Sequence, residues 1–183
     1  MRIIAGKYRR RVLKSPPSLQ TRPTSDRLRE SLFNVLAPRI DDETRFLDLC
    51  SGTGAIGIEA LSRGARHVTF VDKSRKSCGL IEENLDLLEI PEAETEVAQA
   101  DAEEFLRKTK QTFDIVYYDP PYKSEYRDVL YLFGDPEAKL LAENGILIAE
   151  HHNKNNLPDA IGELRRWRIL RQGDSSLSFY ERS

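Results

Sequence analysis

Phe46-Leu47-Asp48-Leu49-Cys50-Ser51-Gly52-Thr53-Gly54-Ala55-Ile56-Gly57 is the stretch that decides how this chain folds. An apolar strand pattern runs straight into glycines spaced GxGxxG, and Ala55 to Ser62 continue with helical character. A strand handed to a helix through such a loop opens a βαβ unit. The next apolar run, His67-Val68-Thr69-Phe70-Val71, ends in Asp72, about twenty residues beyond the loop, where ribose-binding acids stand in nucleotide folds.

The same alternation extends to the C-terminus. A helix is predicted from about Ser74 to Leu88, a strand over Glu96-Val97-Ala98, a short helix from Ala102 and a strand over Phe113 to Tyr118. Helical residues near Tyr126 to Leu132 precede the run Gly145 to Ala149. The tail holds two alternating runs, Trp167 to Leu170 and Leu177 to Tyr180, around Gly173-Asp174, which predict an antiparallel hairpin. Residues 41–183 are therefore expected to form a Rossmann-like, doubly wound, mostly parallel seven-stranded α/β sheet.

Residues 1–40 read as a basic N-terminal extension. Arg2-Ile3-Ile4-Ala5-Gly6 and Arg11-Val12-Leu13-Lys14 suggest a hairpin around Lys7-Tyr8-Arg9-Arg10, followed by a proline-containing linker through Arg22-Pro23. Thr24 or Ser25 can then cap a helix carrying Leu28, Leu32, Phe33 and Leu36 on one face, with Pro38 ending it.

At 183 residues the chain suits one domain. No apolar run is long enough to span a bilayer, and the start has too short an apolar core for a secretory signal, so a cytoplasmic protein of ordinary composition is expected, as a monomer with both cysteines packed as thiols. Cys50 and Cys78 form no CxxC, and His67, His151 and His152 lack metal-ligand spacing, so neither metal nor catalytic histidine is assigned. A net charge of −2 hides +8 in residues 1–39 and −10 in the remainder. A basic arm on an acidic body implies a polyanionic partner held by the arm. Lys7, Arg9, Arg10, Arg11 and Lys14 are its candidate contacts, with Arg22, Arg27 and Arg29 behind them.

Asp119-Pro120-Pro121-Tyr122 follows the fourth apolar run without a spacer. Two prolines remove two backbone donors and stiffen the exit from the sheet, leaving carbonyls as acceptors. A carboxylate before them and an aromatic ring after them suit a flat base bearing an amino group. The alternative is a βα turn punctuated by prolines.

Two cofactors fit the glycine loop. A dinucleotide would bring its pyrophosphate to the helix N-terminus. Asp48, four residues before Gly52, would repel that pyrophosphate and could instead hold an ammonium group. S-adenosylmethionine has the ammonium and no phosphate, so Asp48 favours it. Asp101-Ala102 suits adenine, through a carboxylate for the amino protons and a backbone amide for a ring nitrogen. Ser51, Gly52, Thr53, Gly54, Asp72 and Lys73 complete the candidate cofactor set. Each acid taken singly also fits a helix cap. Four acids at four successive strand ends, Asp48, Asp72, Asp101 and Asp119, point to a ligand site at that edge.

With these residues assembled, the chain resembles the class I S-adenosylmethionine-dependent methyltransferases, and among them the RsmD-type guanine-N2 methyltransferases of small-subunit ribosomal RNA. The resemblance covers nearly the whole chain. It is carried by Arg2-Ile3-Ile4-Ala5-Gly6-Lys7-Tyr8, Arg22-Pro23-Thr24-Ser25-Asp26-Arg27 with Arg29-Glu30, Asp48 to Gly54, Asp119 to Tyr122 and Glu150-His151. Cys50-Ser51 departs from the larger apolar residue and Ala more usual there. The resemblance implies methyl transfer to guanine N2 in ribosomal RNA or a small-subunit assembly intermediate, with Asp119, Pro120, Pro121 and Tyr122 at the amine. A DNA adenine or cytosine amino-methyltransferase, a nicotinamide-dependent oxidoreductase and a catalytically silent RNA-binding assembly factor are the alternatives.

The charge pattern generates a first prediction. Replacing Arg9, Arg10 and Arg11 with Ala should lower the slope of log affinity against log salt for RNA by about two to three, at about 0.7 to 0.9 per phosphate contact. Salt titration of RNA binding measures it, and an unchanged slope would mean that these arginines serve solubility alone.

Overall fold

The computed structural model describes residues 1–16, 25–121 and 126–182. Arg22 and Tyr122, and the Thr24 cap, lie outside the described residues. Among the described residues one sheet has the strand order β3-β2-β1-β4-β5-β8-β7-β6. β1 (Arg45–Leu49), β2 (His67–Asp72), β3 (Thr95–Gln99), β4 (Phe113–Tyr118) and β5 (Leu141–His152) pair in parallel. β6 (Ala160–Ile161), β7 (Leu164–Gln172) and β8 (Ser175–Arg182) join antiparallel, with β8 between β5 and β7.

The parallel core and the C-terminal hairpin match the sequence expectation, and the sheet gains an eighth strand. Ala160–Ile161 pairs with the start of β7 but spans two residues, too short to leave any periodicity. β5 also begins earlier than Gly145, because Leu141 already pairs with Phe113 across a register shift, while Glu143 and Asn144 break the apolar pattern.

Helices α1 (Asp26–Leu36), α2 (Ala55–Ser62) and α3 (Arg75–Leu87) cover one face of the sheet. There they pack on Phe46, Phe70, Ile115 and Ile148. α4 (Ala102–Lys108) and α5 (Arg127–Gly134) cover the other, over Leu47, Val71, Val116 and Leu147. Burial on both faces explains why β1 and β4 read as nearly continuous apolar runs. The strand order reverses between β1 and β4, which opens a crevice beyond their carboxyl ends.

The N-terminal segment is built into this core. Ile3, Tyr8, Leu13 and the buried face of α1 belong to the same apolar cluster as α2 and α3. The expected hairpin is reduced to a ribbon with one bridge pair, Arg2 and Val12, and the bonds Ile3 N to Arg11 O and Leu13 N to Met1 O. Its strands turn their remaining donors to α2 instead. Glu59, fully buried, accepts from the amides of Ile4 (2.9 Å) and Ala5 (3.0 Å) and from Arg63 Nε (2.8 Å). Ser62, closing α2, accepts from the amides of Lys7 and Tyr8 through its carbonyl and hydroxyl oxygens.

Glu59→Ala should therefore destabilise the protein by about 3 to 5 kcal/mol, because Arg63 and two ribbon amides lose a buried charged partner. Glu59→Gln should cost less, since its amide oxygen retains one acceptor. Urea unfolding measures both, and a loss below about 1 kcal/mol for Glu59→Ala would remove Glu59 as the ribbon's anchor.

Candidate active site

The four acids predicted at strand ends converge on the carboxyl edge. Leu49 of β1 lies in register with Tyr118 of β4, and the Asp119 amide donates to the Leu49 carbonyl (3.3 Å), tying the prolyl motif beside Cys50. Burial first, and then the charges of Asp72, Asp119, Asp48 and Asp101, push the Cys50 thiol up to about 12. The thiol thus sits within the field of all four carboxylates. Cys50 has φ of 62°, so the chain turns sharply out of β1 at this point.

Asp48 lies beneath the glycine loop. It is 2% exposed, and its Oδ2 accepts from the Gly57 amide (3.0 Å) in the first turn of α2. The carboxyl group therefore occupies the donor end of that helix, the position a pyrophosphate needs. Burial raises its pKa to about 8, against the opposing pull of the Gly57 hydrogen bond, and Asp72 raises it further. Gly54 takes φ of 76° to enter α2. A Cβ on Gly57 would come within 2.3 Å of the Phe70 ring, so only glycine lets α2 close on β2.

Asp72 binds the loop from the next strand. Its carboxylate accepts from the amides of Gly52 (2.9 Å) and Ser74 (2.8 Å), leaving lone pairs toward the cleft it lines. Ser51 serves as a splint: its hydroxyl donates to the Asp48 carbonyl and accepts from the Val71 amide (3.0 Å). Asp101 caps α4 by accepting from the Glu103 and Glu104 amides through Oδ1, and it remains exposed to the cleft. It is both cap and lining residue.

A cleft of about 180 Å³ runs between the ends of β2, β3 and β4. Asp72, Lys73, Asp101, Ala102, Pro120 and Pro121 line it. Asp48, Ser51, Gly52, Thr53 and Gly54 of the loop, and Asp119 beside Pro120, stand next to it without belonging to its lining. Cys50, part of the loop motif, lines it as well, and so do Tyr118 and Asp128, which sequence reasoning missed. Tyr118 is hidden within an apolar run, and Asp128 reads as an ordinary acidic residue in a first helical turn. Their only signal is proximity to Asp119. Burial pushes the Tyr118 phenol well up, so it stays protonated.

Behind the cleft, Tyr117 donates to buried Glu150, and Tyr126 donates to the Glu150 carbonyl (3.0 Å). His151 is buried and its Nε2 meets Ser178 Oγ at 2.9 Å. Among the described residues no cluster of His, Cys, Asp and Glu is arranged to hold a metal ion.

The basic candidates divide. Lys7, Arg9, Arg10 and Arg27 are exposed. Arg11 donates to the Leu87 carbonyl (2.8 Å) and Lys14 pairs with Glu83 (3.0 Å). Arg29 must be withdrawn from the RNA-facing set. It is fully buried, donating to the Arg2 carbonyl (2.6 Å) and to Asp26 (2.9 Å), so it joins ribbon to helix and offers nothing to a partner. The turn at Lys7 docks on Ser62, the far end of α2 from the glycine loop, roughly 12 Å away along an eight-residue helix.

The sheet order and the acid-lined carboxyl edge are those of the Rossmann-like methyltransferase fold. Within it, the chain belongs to the family whose model is described as "Conserved hypothetical protein 95", matched over residues 1–181. It is 37% identical to YlbH of Bacillus subtilis, named as a candidate rRNA methyltransferase, over 100% of this chain and 99% of that protein. It is 34% identical to ribosomal RNA small subunit methyltransferase D of Escherichia coli K12, over 100% of this chain and 90% of the other. The solved structure of Escherichia coli yhhF, described as a candidate methyltransferase, superposes with a TM-score of 0.89 at 33% identity, covering 100% and 98% of the two chains.

Asp48 sets a prediction with a defined sign. Its folded pKa of about 8 exceeds the ordinary 3.8, so its contribution to stability is fully present below 3.8 and is lost as pH rises through about 8. Asp48→Asn keeps an acceptor for Gly57 and removes the titration. The ligand-free variant should gain stability relative to the parent as pH rises from 5 to 9, read as a widening difference in Tm, while losing affinity for an ammonium-bearing ligand. A constant difference across that range would deny the buried proton.

Proposed function

We propose that this protein transfers a methyl group from S-adenosylmethionine to the exocyclic N2 of a guanine in small-subunit ribosomal RNA, either free or within an assembling particle. The observation that carries the cofactor reading is Asp48 at the donor end of α2. A buried carboxyl group there excludes a pyrophosphate and welcomes an ammonium, whose charge would favour the ionised form. The relatives' names support ribosomal RNA as the substrate.

S-adenosylmethionine supplies a methyl group already activated for transfer. Asp72 would take ribose hydroxyls with the lone pairs left by Gly52 and Ser74, and Asp101 with the Ala102 amide would meet the adenine edge. Asp48 would face the ammonium from beneath the loop. At the other end of the cleft, the amine of a guanine is a poor nucleophile because its lone pair is delocalised into the ring. Acceptors on Asp119 and the Pro120 carbonyl would favour a pyramidal nitrogen and stabilise the positive charge that develops on it. Orientation of the amine supplies the rest of the acceleration, and no covalent enzyme intermediate is needed. Tyr122 is assigned by its motif to stack the extruded base, at about 1 to 3 kcal/mol. Lys7, Arg9, Arg10, Arg11, Lys14, Arg22 and Arg27 are the proposed phosphate contacts, without Arg29.

Asp119→Ala and Tyr122→Ala should each abolish single-turnover methyl transfer to ribosomal RNA, while calorimetry finds S-adenosylmethionine affinity within a few fold of the parent. Nucleoside mass spectrometry of the product should give N2-methylguanosine. Methylation at a ring nitrogen, or full activity in both variants, would overturn the amine assignment.

A further inference from the structure

A second groove, of about 1120 Å³, lies on the other side of α5 from the cofactor cleft. α5 is the wall between them: Asp128 and Val129 line the cleft, while Tyr126, Arg127, Leu130 and Tyr131 line the groove. The opposite wall is the segment 153–159 that leaves the carboxyl end of β5. The groove therefore opens at the same sheet edge as Asp119 and Pro120. Its volume exceeds the roughly 300 to 1,000 Å³ usual for small-molecule pockets, which suits an extended polymer segment.

Both walls are held in place. Tyr126 donates to the Glu150 carbonyl and stands edge-on to the rings of Tyr118 and His151. Across the groove, Arg166 Nη1 donates to the Leu157 carbonyl (3.0 Å) and Tyr180 to the Pro158 carbonyl (2.9 Å). Asp159 is paired with Arg166, which cancels its charge at the rim. Arg127 and Lys154 are exposed and enter no ion pair among the described residues, so two cations remain uncompensated. Tyr131 is 57% exposed, a large ring presented to solvent on a helix whose other aromatic residue, Phe133, is buried. Asn155 and Asn156 add amide donors and acceptors.

We infer that this groove binds unpaired RNA next to the target nucleotide, with Tyr131 stacking a base and Arg127 and Lys154 contacting phosphates. An exposed ring flanked by unpaired cations is the chemistry of single-strand binding, in which stacking tolerates any base and the cations track the backbone. A base can leave its stack most readily where its neighbours are already unpaired, so a groove gripping those neighbours lowers the cost of presenting the target. The inference rests on the reading of an RNA substrate and deepens it: the substrate presents its guanine beside a single-stranded stretch. The acidic body carries this local basic site on the α5 face, while the N-terminal ribbon carries its own on the α2 face. RNA crossing the sheet edge from one to the other passes the cleft.

The test uses the full chain and a short fluorescein-labelled single-stranded RNA, with its duplex as control. The parent should prefer the single strand. Tyr131→Ala should weaken that binding by about 5- to 150-fold, and Tyr131→Phe should restore it. Arg127→Ala with Lys154→Ala should lower the salt slope by about 1.4, at about 0.7 per contact to single strands. S-adenosylmethionine affinity should be unchanged in every variant, which also reports that the fold is intact. Unchanged RNA affinity and slope in the variants would overturn the inference, as would a parent that binds no single strand. Variants that bind naked RNA normally but fail only on a protein-containing particle would point to a protein partner and overturn it too. A parent that binds RNA through the groove yet transfers no methyl group would overturn the methyltransferase reading alone.

Discussion

A buried carboxyl group at the start of α2 is the constraint on which the site depends. Asp48 is carried by β1 to a place where water is excluded and a single backbone donor, the Gly57 amide, meets it. A charged group there is costly, so its proton is held far above the ordinary carboxylate range. The surrounding loop maintains the arrangement: Ser51 stitches β1 to β2, Asp72 holds Gly52, and Gly57 lets α2 lie against Phe70. The cost of burying Asp48 is carried by the fold and would be offset by a cationic ligand, which is how a binding site stores selectivity in its own strain.

The N-terminal segment depends on a second buried carboxylate. Glu59 on α2 gathers two ribbon amides and Arg63, and Arg29 closes the same ribbon from α1. Residues that look like a basic appendage thus complete the apolar layer over α2 and α3. Their charges are split by that packing. Arg29 is consumed inside, whereas Lys7, Arg9 and Arg10 stay in solvent.

The body beyond residue 39 is acidic as a whole, yet it carries exposed cations, Lys73, Arg75, Lys76 and Arg165 among them. Of the proposed phosphate contacts, one group lies on the ribbon, near the far end of α2, and another on α5 and the segment after β5. Between them runs the carboxyl edge, where Asp72, Lys73 and Asp101 line the cleft. On the proposed reading, separating the two signs would let one face of the molecule hold a cation while its flanks hold phosphates.

Much of the fold was legible in the chain, because burial on both faces of β1 and β4 leaves unbroken apolar runs and the glycine loop has few structural solutions. The four edge acids were legible from the same runs, since each stands near a strand's carboxyl end: Asp48 inside β1, Asp72 closing β2, Asp101 shortly after β3 and Asp119 directly after β4. The eighth strand was not, because two residues carry no period, and neither were Tyr118 and Asp128, which enter the cleft only through strand register and helix placement. Arg29 and Arg27, two positions apart in one helix, look alike in sequence, yet packing against the ribbon buries the first and leaves the second in water. By itself the sequence determined the order of strands and helices and the chemistry at the strand ends, which are local properties of hydrophobic period and turn residues. Tertiary structure alone decided which charges face solvent, which carboxyl groups lose their water and which side chains share a wall, because those depend on contacts between residues far apart in the chain.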